Sequence, residues 1–308
     1  MKRLTYALAA ALVALPVCSQ EPPAKAPISF RELLAQPRAQ ADARIAYGPD
    51  PLQFGELWLP KSPRASASHP VVVLIHGGCW QASLPGLELM DYMAADLREQ
   101  GYAVWNLEYR RIGGPGGGYP GTFQDVAAGV DHLRSIATRH RLDLRRVALS
   151  GHSAGGHLAL WAGMRHRLPS SSPLYRPKPL PVRGVVTLAG INDVERYRGE
   201  GPDACGGPAT IDALVGSAGI ARANVFADTS PARMLPSGTP QVVVSGTRDH
   251  IVPPRFGQLY AWRAAAAGDR ADVITLGSAG HFELIDPRSE AWPRIEAAYR
   301  TLLAPRRR

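Results

Sequence analysis

Cysteine is scarce in this sequence: three residues in 308, at positions 18, 79 and 205. That is too few for a disulfide-framed miniprotein, so a hydrophobic core has to carry the fold. Beyond residue 19 no apolar run approaches the ~20 residues a membrane-spanning helix needs, which excludes such a span there. No internal repeat is present, so repeat architectures are excluded too. Acidic residues are in the minority, and the formal net charge is +9. Lys2 and Arg3 supply two of those charges and Arg306, Arg307 and Arg308 three more, which leaves +4 for the rest. No basic stripe interleaved with aromatics lies in that remainder, so nucleic acid is not an expected partner.

What is present begins with a leader. Residues 1–19, "MKRLTYALAAALVALPVCS", open on two positive charges, continue as an Ala/Leu-rich run and end in proline and small residues. This is the layout of a cleaved secretory signal peptide, and it predicts a periplasmic or secreted protein. Cys18 at its end raises lipoprotein anchoring. Against that, "LPVC" carries proline and valine where a lipidation signal carries small residues. Removal of the leader leaves Cys79 and Cys205, which in an oxidising compartment form either one disulfide or two separate buried thiols.

Residues 20–42 read as a linker and N-terminal segment, with "EPPAKAP" proline-rich and "ISFRELLAQP" a short helix. From residue 43 to 308 the pattern is that of one domain. "ARIAYG" and "LQFGELWLP" are two strands, the second alternating as a half-exposed antiparallel edge. Continuous apolar runs at 71–75, 102–107, 146–150, 184–189, 241–245 and 272–276 read as central parallel strands buried on both faces. Helical stretches at about 86–100, 122–139, 154–167, 255–267 and 289–303 alternate with them. The expected fold class is therefore α/β, a mostly parallel central sheet with helices on both faces. Residues 191–240 are too long for a simple crossover and are read as a lid-like insertion at the C-terminal edge of the sheet. "GGPGGG" at 113–118 lacks the Lys-Ser/Thr of a phosphate loop and reads as a flexible loop.

The chemistry centres on "GHSAG", residues 151–155, where a strand gives way to a helix. A serine there needs a strained turn to push its hydroxyl forward, and Gly151 and Gly155 remove the Cβ atoms that would collide. The following helix turns its N-terminal amides toward developing negative charge. A dinucleotide-fingerprint reading of the same glycines fails, because no acidic residue closes a second strand at the required distance. If Ser153 is a nucleophile, it needs a base, an acid to orient that base and an oxyanion hole. His281 in "GSAGHFELIDP" follows the last strand and suits the base. Asp249 in "GTRDHIVP" follows the strand before it and suits the acid, with Asp228 and Asp286 as weaker alternatives. His76, His152 and His157 lie too close to these turns for the role and are read as structural. Gly77 and Gly78 in "LIHGGCWQ" expose backbone amides at another strand end, and the amide of Ala154 completes an oxyanion hole.

The motifs "HGGCWQ", "NLEYRRIG", "YPGTFQDV", "GHSAGGHLA", "GTRDHIVP" and "GHFELIDP" resemble the α/β-hydrolases of the esterase/lipase group, over residues of about 45–303. The likeness is to the branch with an HGG oxyanion motif, arylformamidase-like and bacterial carboxylesterase-like. It implies the α/β-hydrolase fold, a Ser153–Asp249–His281 triad and a brace from Glu108, Tyr109 and Arg110. Cys79 departs from the family, whose members often carry glycine or an aromatic there. The reading that follows is a secreted serine hydrolase cleaving a small-acyl carboxylic ester through an acyl-enzyme on Ser153, with no cofactor and no metal. Cys79 and Trp80 are the expected substrate contacts, beside the oxyanion amides. An arylformamidase, a peptidase and a catalytically silent binding module on this fold are the alternatives, the partner in each enzyme case being a small ester or amide. The residues carry no signal of oligomeric state.

Overall fold

Strands built from unbroken Val, Leu and Ile runs bury both faces only when helices cover both sides of their sheet. In the computed structural model, which describes residues 26–61, 68–219 and 222–305, eight strands, the central ones of this kind, form one sheet. In chain order they are β1 (Ala43–Ala46), β2 (Phe54–Trp58), β3 (His69–Ile75), β4 (Ala103–Leu107), β5 (Leu142–His152), β6 (Gly184–Leu188), β7 (Gln241–Gly246) and β8 (Ala271–Leu276). Their order across the sheet is β1-β2-β4-β3-β5-β6-β7-β8. The β1/β2 and β2/β4 pairs are antiparallel. From β4 to β8 every pair is parallel, so the C-terminal ends of β3, β5, β7 and β8 open on one edge. The leader and Cys18 lie outside the described residues.

The helices are α1 (Phe30–Leu34), α2 (Asp91–Glu99), α3 (Gly121–His140), α4 (Ala154–Met164), α5 (Val194–Glu200), α6 (Gly207–Val215), α7 (Pro254–Ala266) and α8 (Trp292–Leu303). On one side α3 and α4 pack against β5 and against each other. On the other α8 reaches β5, and its Trp292 indole N–H donates to Asp96 of α2. All residues of β4, β6 and β7 are buried. Among the described residues no helix is long and apolar enough to cross a membrane.

Three expectations need correction. The run 272–276 is not central: β8 is the sheet's edge, with Asp272, Val273 and Thr275 exposed, because no strand follows to cover it. The half-exposed antiparallel edge is β1, alternating intermediate and exposed, while β2 lies one place further in. The 113–118 loop is packed at its C-terminal end: a Cβ on Gly117 would overlap the Arg111 carbonyl, and one on Gly118 would come 2.7 Å from the Ala213 carbonyl oxygen. Gly117 and Gly118 serve close backbone approach, whereas Gly113 faces open space. The 191–240 segment leaves the C-terminal end of β6 and holds α5 and α6, which composition did not announce.

Candidate active site

Ser153 sits between β5 and α4 with φ 56° and ψ −120°, a left-handed backbone for a residue with a side chain. Such a conformation costs on the order of 1–3 kcal/mol and persists only when its surroundings over-determine it. They do so here. The Ser153 N–H donates to the Leu188 carbonyl (2.9 Å), and its carbonyl accepts from Gly156 (2.9 Å) and His157 (3.2 Å). A Cβ on Gly151 would overlap the Gly155 carbonyl, and one on Gly155 would overlap the carbonyls of Ile75 and His76. The turn therefore packs backbone to backbone against the end of β3.

His281 and Asp249 come together across the ends of β7 and β8: Nδ1 of His281 donates to Oδ2 of Asp249 at 2.7 Å, both groups buried. The other carboxylate oxygen of Asp249 accepts the N–H groups of Ile251 (2.8 Å) and Val252 (2.9 Å), which aims the carboxylate at the ring. Asp228 is instead held by Arg222, Tyr119 and Ser172, and Asp286 by Arg288. The ring of His281 lies 4.4 Å from that of His152, whose Nε2–H donates to the His281 carbonyl (3.0 Å). The residue preceding the serine thus locates the histidine. Burial, then the neighbouring His281, hold His152 well below the usual histidine range, so its ring is neutral.

Gly77 lies against the serine: a Cβ there would come 3.0 Å from the His152 carbonyl oxygen and 3.2 Å from the Ser153 Cβ. Gly78, Cys79 and Trp80 then follow with φ of 92°, 49° and 58°, three left-handed residues in succession. Among the described residues no backbone carbonyl accepts from the amides of Gly77, Gly78 or Ala154. Free amides at a helix start and in an adjacent loop are what a developing oxyanion requires. Beneath the loop, the His76 ring bridges the Gly77 carbonyl, 2.8 Å from Nδ1, and the Glu108 carboxylate, 2.9 Å from Nε2. Burial would raise the Glu108 carboxyl, but His76, Arg111 and the Tyr109 N–H outweigh it and hold it at about 2. Tyr109 stacks on His76 at 4.3 Å, while Arg110 turns away to a bidentate pair with Asp125.

Cys79 and Cys205 are disulfide-bonded, which resolves the open choice between a bridge and two thiols. Trp80 is fully buried, its indole N–H donating to Nδ1 of His157 (3.2 Å), and His157 donates from Nε2 to the Thr229 carbonyl (2.7 Å). Burial lowers His157 to about 4. Sequence reasoning missed Glu283, whose carboxylate accepts the N–H groups of Ile28 (2.7 Å) and Gly280 (3.0 Å) and so joins the N-terminal segment to the histidine loop. No local signal distinguishes it from a surface glutamate.

Residues 56–262 match the BD-FAE family. The esterase LipC of Mycobacterium tuberculosis is 28% identical over 256 residues, 79% of this chain and 60% of that protein. The probable carboxylic ester hydrolase LipM of the same organism is 24% identical, over 75% of this chain and 53% of its own. This chain spans about 60% of the length of the first of these relatives. Among solved structures, esterase B from Lactobacillus rhamnosis superposes with a TM-score of 0.73 at 19% identity, covering 88% of this chain and 90% of that one. A truncated carbohydrate esterase from gut microbiota superposes with a TM-score of 0.69 at 19% identity, covering 91% of this chain and all of the other. The fold shared with these structures is the α/β-hydrolase fold.

Proposed function

The chain belongs to the BD-FAE family, and from that premise we propose that it is a serine hydrolase of small-acyl carboxylic esters. The observations that support the reading are the strained turn at Ser153, the Asp249–His281 pair, which meets that turn through the His152 ring 4.4 Å from His281, and the amides of Gly77, Gly78 and Ala154, which no backbone carbonyl engages among the described residues. Ser153 Oγ attacks the ester carbonyl as His281 Nε2 takes its proton, and Asp249 holds the Nδ1–H tautomer and stabilises the imidazolium. The amides receive the oxyanion. The tetrahedral intermediate expels the alcohol, which takes the proton from His281 and leaves an acyl-serine; water then repeats the sequence and frees the acid. The preference for formyl, acetyl and butyryl groups rests on the sequence reading alone: Trp80 has no accessible surface and turns its indole to His157, and Cys79 is spent in the disulfide, so neither is the substrate contact the sequence suggests.

Export is part of the proposal. The leader predicts it, and the Cys79–Cys205 bond favours an oxidising compartment. The test is an activity panel of acyl esters of increasing length beside aryl formamides, with fluorophosphonate labelling of wild type and Ser153→Ala. Ester turnover and labelling that both vanish in the variant are expected. Labelling that survives the substitution moves the nucleophile elsewhere, and a formamide preferred over every ester makes the enzyme an arylformamidase.

A further inference from the structure

The disulfide occupies an unusual place. Cys79 directly follows Gly78 in the oxyanion loop, and Cys205 lies in the 191–240 segment between α5 and α6, 126 residues away. Gln81 adds to the same junction, its Nε2 donating to the Cys205 carbonyl (3.0 Å) and to Thr210 Oγ1 of α6 (3.2 Å). The remaining ties of the loop are noncovalent. The Gly77 carbonyl meets the His76 ring (2.8 Å), the Gly78 carbonyl accepts from the Gln81 N–H (2.9 Å), Trp80 and Ala82 exchange two backbone hydrogen bonds with Ile112 at 2.7 and 2.9 Å, and the Trp80 indole reaches His157. A run of three left-handed residues, two of them with side chains, does not hold itself in place. Yet the neighbouring amides must meet the oxyanion with a tolerance of a few tenths of an ångström.

We propose that the Cys79–Cys205 disulfide is a positioning element of the active site, fixing the oxyanion loop to the 191–240 segment so that the Gly77 and Gly78 amides face the transition state. This rests on the hydrolase reading above. Reduction by a small dithiol converts the cystine to two thiols while the dithiol closes to its own disulfide, two electrons and two protons passing to the protein. Ser153, His281 and Asp249 are held by contacts that do not involve either sulfur. Loss of the bond therefore acts on transition-state stabilisation, lowering kcat more than it changes KM.

The experiment compares the oxidised protein, the protein treated with dithiothreitol with its free thiols counted, and Cys79→Ala/Cys205→Ala, on a p-nitrophenyl acetate substrate. Each rate is divided by the serine labelled at the end point of a fluorophosphonate reaction, which removes any unfolded fraction from the comparison. The expected result is a fall of about tenfold in kcat per labelled serine, smaller than the ~10² to 10³ of losing an oxyanion donor outright. Re-oxidation restores the treated protein, and the double variant does not respond to dithiol. If the double variant does not fold, the dithiol-treated wild type supplies the same measurement; if the native bond resists reduction, the variant does. A kcat per labelled serine that stays unchanged without the bond overturns the inference and leaves the cystine a stabilising cross-link. An oxidised protein that neither labels nor turns over ester overturns the hydrolase reading, and this inference with it.

Discussion

The two loops that flank Ser153 are secured in opposite ways. The oxyanion loop leaves β3, a strand with parallel neighbours on both sides, and is tied down covalently through Cys79. The histidine loop leaves β8, the exposed edge, and is held by noncovalent contacts alone among the described residues: Asp249, His152, and the N-terminal segment through Glu283. Phe282 packs edge-on to Phe30 of that segment, and a Cβ on Gly280 would come 2.5 Å from Pro27. A loop at an edge has a neighbouring strand end on one side only, here the turn after β7, whose Thr247 and Arg248 N–H groups donate to the Leu276 and Ala279 carbonyls, so it takes further support from the N-terminal segment. The buried strand's loop has the opposite difficulty. It is pushed into a backbone that disfavours side chains and needs a bond to stay there.

The sharpest way to break the histidine side is Asp249→Asn. The amide can keep the hydrogen bond only by favouring the wrong tautomer, and turnover is expected to fall by about 10⁴ with the fold intact. Steady-state kinetics alongside circular dichroism check this. On the oxyanion side the largest expected effect is on stability. Removing a cross-link that closes a 126-residue loop lowers unfolding free energy by about 5 kcal/mol in the chain-entropy model, read from urea unfolding of Cys79→Ala/Cys205→Ala.

His157, which accepts the Trp80 indole N–H behind that loop, gives a pH signature. His157 is lowered from the ordinary 6.5 to about 4, so between those values the unfolded chain takes up a proton that the folded one refuses. Its contribution is complete above pH 6.5 and is lost as pH falls toward 4, up to about 3 kcal/mol. His157→Gln retains a donor and an acceptor but does not titrate, so its stability should fall less steeply across that window. Denaturant midpoints at pH 4.5, 5.5 and 7 decide it. The smallest effect is expected from Glu283→Ala, which strands two backbone N–H groups at a partly exposed site and costs about 2 kcal/mol. Limited proteolysis should then cut first within residues 26–36, and equal resistance to wild type would remove the N-terminal segment from the comparison.

Local pattern alone made the strand and helix alternation readable, since period and apolar content respond to neighbours a few residues away. It also set out Ser153, Asp249 and His281 in chain order, each after a parallel strand, because the turn at "GHSAG" tolerates only glycine two places either side, for a reason of backbone contact. Helices α5 and α6 were not readable: they are short, and although α6 buries Ile211, Leu214 and Val215 on one face, a pattern of so few residues amid glycine and proline does not mark a helix by itself. The exposure of β8 depends on which strand ends the sheet, and "DVITL" contains nothing that says so. Asp249, Asp228 and Asp286 are alike as letters; only the folded chain brings one of them within 2.7 Å of His281 and commits the other two to arginines. The pairing of Cys79 with Cys205 is of the same kind. Sequence determines what each residue can do within its own turn or strand, whereas a partner 126 positions away is chosen by the approach of two backbones to 5.3 Å between Cα atoms.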